Sequence, residues 1–150
     1  RFSRSLPSQY RGALRLLEAQ ASPRVLISDE AVPYRPHRGV YLIIDEPAAD
    51  EPQDAFLRLL HTEVLPALVS VPGVAGAWTF ATTPSIRRPM FSNGRHRMTL
   101  CYLDDDPATS GGRLAPVVSR AWESAPARLV LAAPFESMMR WEWDRFGPTV

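Results

Sequence analysis

From Asp54 to Phe80 the chain spells a helical run, a break and a strand, and any fold must first seat that unit. Phe56, Leu57, Leu60, Val64, Leu65 and Leu68 recur at three- and four-residue steps, which predicts a helix whose apolar stripe must pack on something. Pro66 falls inside this pattern and predicts a kink or a fresh first turn there. Pro72-Gly73 closes the helix, with Gly73 free to take a left-handed conformation. Val74 to Thr82 then reads as a strand, with Trp78, Phe80 and Thr82 on one face and Ala77, Thr79 and Ala81 on the other. The small-residue face can approach another layer closely.

Around this unit the remaining segments follow by the same rules. Leu14, Leu17 and Ala21 stand at helical spacing behind a cap at Ser5 or Ser8, so a helix is predicted from about Pro7 to Gln20. Arg24 to Ser28 reads as a short strand, and Pro33 and Pro36 force an extended connector after it. Val40 to Asp45 is a β-branched and aromatic run ended by Pro47, the pattern of a strand buried on both faces. Pro84 to Gly94 reads as a long hairpin loop, His96 to Leu103 as a strand, and Gly112 to Ser124 as a second helix with Pro116 in its first turn. Leu129 to Ala133 is a further apolar run. Met139, Trp141 and Trp143 alternate with charged residues, as in a strand with one wet face.

Composition excludes several functions. Seventeen basic and sixteen acidic side chains leave a formal charge of +1, so no global field draws the chain to nucleic acid or to an anionic membrane. The basic clusters Arg1, Arg4, Arg11 and Arg87, Arg88, Arg95, Arg97 read as solvated charges, since no glycine-rich phosphate cradle accompanies them. No apolar run reaches the roughly 20 residues of a membrane span. The one cysteine, Cys101, rules out an internal disulfide framework, reads as a core residue and fits a cytoplasmic location. Asp104, Asp105 and Asp106 read as a solvated turn starting the next helix, because no glycine or distal glutamate completes a calcium loop. Histidines at ligand spacing do not occur, so neither zinc nor haem is assigned and no cofactor is expected.

From Gly39 the order strand, helix, strand, strand, helix, strand is the split βαβ, or ferredoxin-like, arrangement: an α+β fold with an antiparallel sheet and two helices on one face. The other face needs a cover, and a second copy is the expected one, with Trp78, Phe80 or the Trp141, Trp143 pair at the interface. Several short stretches carry a family resemblance: His61-Thr62 followed by Leu65-Pro66, the Val71-Pro72-Gly73-Val74 break, and the run from Leu100 to Pro107. Over about residues 39–146 the chain resembles the dimeric α+β-barrel superfamily, and most of all its EthD-like branch. That resemblance implies a homodimer with facing sheets and, in each subunit, a cavity between sheet and helices. Its members include cofactor-free monooxygenases and cyclases of aromatic or polyketide compounds, haem-degrading enzymes and proteins without known activity. Residues 1–38 lie outside it and are expected to be a helical and extended segment, the end of a preceding repeat.

Two functional readings stay open. In the first, His61 matches the family's helix histidine and moves a proton on a hydrophobic, aromatic ligand held against Trp78 and Tyr102, through cofactor-free monooxygenase, cyclase or isomerase chemistry. It requires an enclosed apolar cavity containing the His61 imidazole. In the second, the chain is a non-catalytic homodimeric module with a filled core and His61 in solvent. Trp78 and Tyr102 are then ordinary strand aromatics, and His37 and His96 read as solvated in either case. RNA binding on the sheet is excluded by the lack of a basic and aromatic pattern on the central strands.

Overall fold

The chain closes around a five-stranded antiparallel sheet in the order β1-β3-β4-β2-β5. Its strands are β1 (Leu14–Ala21), β2 (Gly39–Pro47), β3 (Val74–Thr82), β4 (Arg97–Leu103) and β5 (Ala127–Glu136). The computed structural model describes residues 14–48, 52–82, 96–123, 125 and 127–138. The loop and the alternating segment foreseen at Pro84 to Gly94 and after Met139 lie outside them.

Among the described residues, two helical runs connect the strands across one sheet face. The first is one run in three pieces: α1 (Gln53–Leu59), a π turn (Leu60–Val64) and α2 (Leu65–Ser70). The second is α3 (Pro107–Glu123). The kink foreseen at Pro66 is this π turn. Proline offers no N–H to the carbonyl one turn back, and the helix widens just before it. Phe56, Leu60, Val64, Leu65 and Leu68 point inward and meet Leu114, Val118 and Trp122 of α3 above Tyr41, Ile43, Ala77, Cys101 and Leu103 of the sheet. The core therefore fills the space between sheet and helices. Thr79 and Thr99, opposite each other on β3 and β4, share a buried hydroxyl hydrogen bond of 2.8 Å within it. Gly73 takes a φ of +91°, as its place after α2 demands.

Three expectations are corrected. The segment expected to be a helix from Pro7 to Gln20 carries β1 in its described part, antiparallel to β3 with Leu16 opposite Phe80 and Ala19 opposite Trp78. The free edge of β3 supplies a row of unpaired backbone groups, and pairing with them outweighs the helical spacing of Leu14 and Leu17. Arg24 to Ser28 is not a strand; Leu26 there adopts a φ of 48° and is 93 % exposed. The Arg24 guanidinium instead donates to the carbonyls of Val69, Ser70 and Val71 at 2.9, 3.0 and 2.7 Å, capping the C-terminal end of α2. Finally, α3 starts at Pro107 and not at Gly112, because Asp106 caps it: its Oδ2 accepts from the Thr109 N–H at 2.8 Å. Pro116 thus sits inside the helix, where the carbonyl it deprives belongs to Gly112, whose surroundings are open.

On the second sheet face a 3-10 helix (Asp29–Tyr34) packs over one end. Val32 is fully buried there against Gly76, where a side chain would collide with both Val32 methyls at 2.8 and 2.9 Å. Residues 14–38 are therefore part of the same sheet unit. Among the described residues, the 3-10 helix is the one helical element on this face. Beyond it, Leu42, Phe80, Met98 and Leu100 stay half-buried and Leu16 and Leu131 are exposed.

Candidate functional site

The residues singled out from sequence divide between the two sheet faces. His61 lies on the π turn, on the helix side, with its side chain 71 % exposed and its Nδ1 3.6 Å from Glu18 Oε1 on β1. Trp78 and Tyr102 project from β3 and β4 on the opposite side, with ring centroids 6.4 Å apart in an edge-to-face arrangement. The sheet thus separates the histidine from the two aromatics within one subunit.

On that second face the structure assembles a group that local sequence did not announce. Trp78 donates its Nε1–H to the Asp29 carbonyl at 2.9 Å, tying β3 to the 3-10 helix. His37, read as solvated, has a side chain only 7 % exposed. Its Nε2 donates to the Val32 carbonyl at 2.6 Å, and its Nδ1 meets Asp104 Oδ1 at 2.7 Å. Its ring lies 5.1 Å from that of Tyr102. Burial, with Tyr34 second, pushes the Tyr102 phenol above its ordinary pKa. Arg35 approaches the other oxygen of Asp104 at 3.7 Å. Between these groups and the ends of β2 and β5 opens a cleft of about 250 Å³, lined by Arg35, His37, Val40, Tyr102, Phe135 and Glu136 among others.

A second polar group is sealed in the core. Arg97, read as a solvated charge, is buried: its Nε donates to Asp45 Oδ1 at 2.7 Å, and its guanidinium carbon stands 3.3 Å above the Phe56 ring. Trp122 Nε1 donates to the second oxygen of Asp45 at 3.2 Å. Burial raises the Asp45 pKa, against the opposing pull of Arg97, Trp122 and His96. A strand-end charge opposite a core aspartate was the available signal. It is a register relation, Asp45 facing Arg97 across β2 and β4, and register is not visible before strands are paired.

Cys101 is wholly buried and burial pushes its thiol up to about 12, so it is not poised as a nucleophile. Among the described residues, no cluster of three or more His, Cys, Asp or Glu is placed to hold a metal ion. No helix among them is long and apolar enough to cross a membrane. Comparison with family models, curated proteins and solved structures returned no match.

Proposed function

We propose that this chain is a ferredoxin-like unit that works as a homodimer, two copies meeting through the sheet face opposite the helices, as in the EthD-like dimeric α+β barrels it resembles. The observation that carries the reading is the apolar, half-covered area made by Leu42, Phe80, Met98 and Leu100 with exposed Leu16 and Leu131. Five strands at about 4.8 Å spacing, over roughly seven residues each, give a flat face of about 600 Å². One partner's share of a stable interface is about 800 Å², so the face is of the right scale even with one end under the 3-10 helix. Water on so many apolar side chains is costly, and a matching face removes it. Leu131→Lys and Leu16→Lys, both at exposed positions, are expected to turn the dimer into a folded monomer. Variants that stay dimeric would refute the choice of face.

Proton transfer by His61 on an aromatic or polyketide-like compound is the second reading. It is favoured by one observation: the histidine sits on a π turn, a local feature frequent at functional sites, with the Glu18 carboxylate 3.6 Å from its Nδ1. Its ligand would lie on the helix side, apart from Trp78 and Tyr102, against an imidazole that is 71 % exposed and not enclosed in the apolar cavity expected from sequence. An NMR titration with planar aromatic ligands that shifts the His61 resonance, and loses the effect in His61→Ala, would support it. An indifferent His61 would remove it.

A further inference from the structure

We propose that the cleft between the 3-10 helix and the ends of β2, β4 and β5 is a binding site for a small planar aromatic carboxylate. It goes beyond the dimer reading and does not rest on it, although the cleft opens at one end of the same sheet face. The cleft measures about 250 Å³ and has room for a single-ring compound. Pro33, Val40, Tyr102 and Phe135 give it apolar walls. Phe135 is 46 % exposed and Tyr102 half-buried, so a flat ring in the cleft covers aromatic surface that water now touches.

Charge selects the other end of the ligand. Asp104 is the carboxylate that faces Arg35, but its Oδ1 already takes His37 Nδ1 at 2.7 Å. Its Oδ2 stays 3.7 Å from Arg35 Nη1, too far for a hydrogen bond. That Nη1 is shut off from solvent and finds no hydrogen-bond acceptor among the described residues, while the side chain as a whole is 37 % exposed. A guanidinium left this way is under-used, and a small rotation would present its planar fork to a carboxylate, whose two oxygens match it. Glu136 lines the cleft and Asp104 stands beside Arg35, and both carboxylates oppose an anion.

His37 has a supporting place here. Both of its ring nitrogens are engaged, one by the Val32 carbonyl and one by Asp104, so it holds the Tyr102 face and the 3-10 helix in position and is not free to act as a base. The site binds and does not transform.

The test is an NMR titration of the intact chain with benzoate, benzamide and benzylamine, repeated on Arg35→Gln and Phe135→Ala. Benzoate is expected to shift the Gly39, Tyr102 and Phe135 signals and to bind at least about tenfold more tightly than benzamide, the scale of one charge-assisted hydrogen-bonded pair. Arg35→Gln should bring benzoate down to the benzamide level, and Phe135→Ala should weaken both. Arg35→Lys keeps the charge without the fork and should fall between, which preserves the test should Arg35→Gln fail to fold. Benzylamine binding as well as benzoate would overturn the proposal in favour of Glu136. Benzoate binding unchanged in Arg35→Gln, or no binding of any probe, would overturn it outright. Sedimentation of the same samples reports the dimer separately.

Discussion

Replacing Arg97 by methionine removes the cation from the buried Asp45 pair while keeping an apolar stem over Phe56. In the wild type the two side chains are 5 % and 2 % exposed, and the Arg97 Nε to Asp45 distance is 2.7 Å. Breaking a pair that deep costs about 3–5 kcal/mol, because the surviving charge stays out of water without its partner. In a domain of this size each kcal/mol moves Tm by about 2–4 °C, so the midpoint should fall by about 6–20 °C. The cost should also depend on pH. Burial already holds the Asp45 pKa above its ordinary value. A group raised in the folded state contributes stability that is complete below its unfolded pKa and is lost as pH climbs through the folded one. Without Arg97 the folded value rises further, so the deficit against wild type should grow as pH climbs above the ordinary carboxylate range, by at most about 1.4 kcal/mol per pH unit, and comparison at pH 5 and pH 7 reads it. Asp45→Leu combined with Arg97→Met should be more stable than Arg97→Met alone, the part of the loss that remains being the Trp122 N–H left without its acceptor, about 1–3 kcal/mol. Urea unfolding at the two pH values measures all of this. An Arg97→Met variant within about 1 kcal/mol of wild type, or a deficit equal at both pH values, would refute the reasoning.

Two smaller outcomes accompany it. Arg24→Ala removes the donors to Val69, Ser70 and Val71 and should cost about 1–2 kcal/mol, with faster hydrogen exchange confined to the end of α2. Cys101, wholly buried with its thiol raised to about 12, should resist alkylation at pH 8 in the native protein and react fully once urea unfolds it.

What the sequence revealed was local. The α1 to α2 stripe, the Pro72-Gly73 stop and the two faces of β3 are set by residues no more than four apart, and each appears where the local pattern put it. The face of β3 bearing Trp78 and Phe80 does look away from the helices, as alternation required. What stayed hidden was non-local. Arg97 and Asp45 lie 52 residues apart, and His37 and Asp104 lie 67 apart, so neither pairing has a signature within a window. Arg97, His37 and Asp104 each resembled a solvated group when taken alone, and Asp45 resembled only the end of a core strand. The error at β1 has a different origin. Leu14, Leu17 and Ala21 satisfy helical spacing as well as Leu14 and Leu16 satisfy alternation, and only the open edge of β3 decides between them. The same ambiguity affected the candidate site. Tyr102 and Trp78 were found as aromatics, but Arg35 and His37, which line the cleft with Tyr102, come from a connector whose position depends on where the 3-10 helix lands.

Light scattering on the intact chain after size exclusion is the most direct test of the dimer. At micromolar concentration the expected mass is twice the 16.7 kDa of one chain, falling to a single chain mass in Leu131→Lys with its circular dichroism unchanged. A wild-type mass of one chain at every concentration reached would contradict the account and leave the open face of the sheet to another partner.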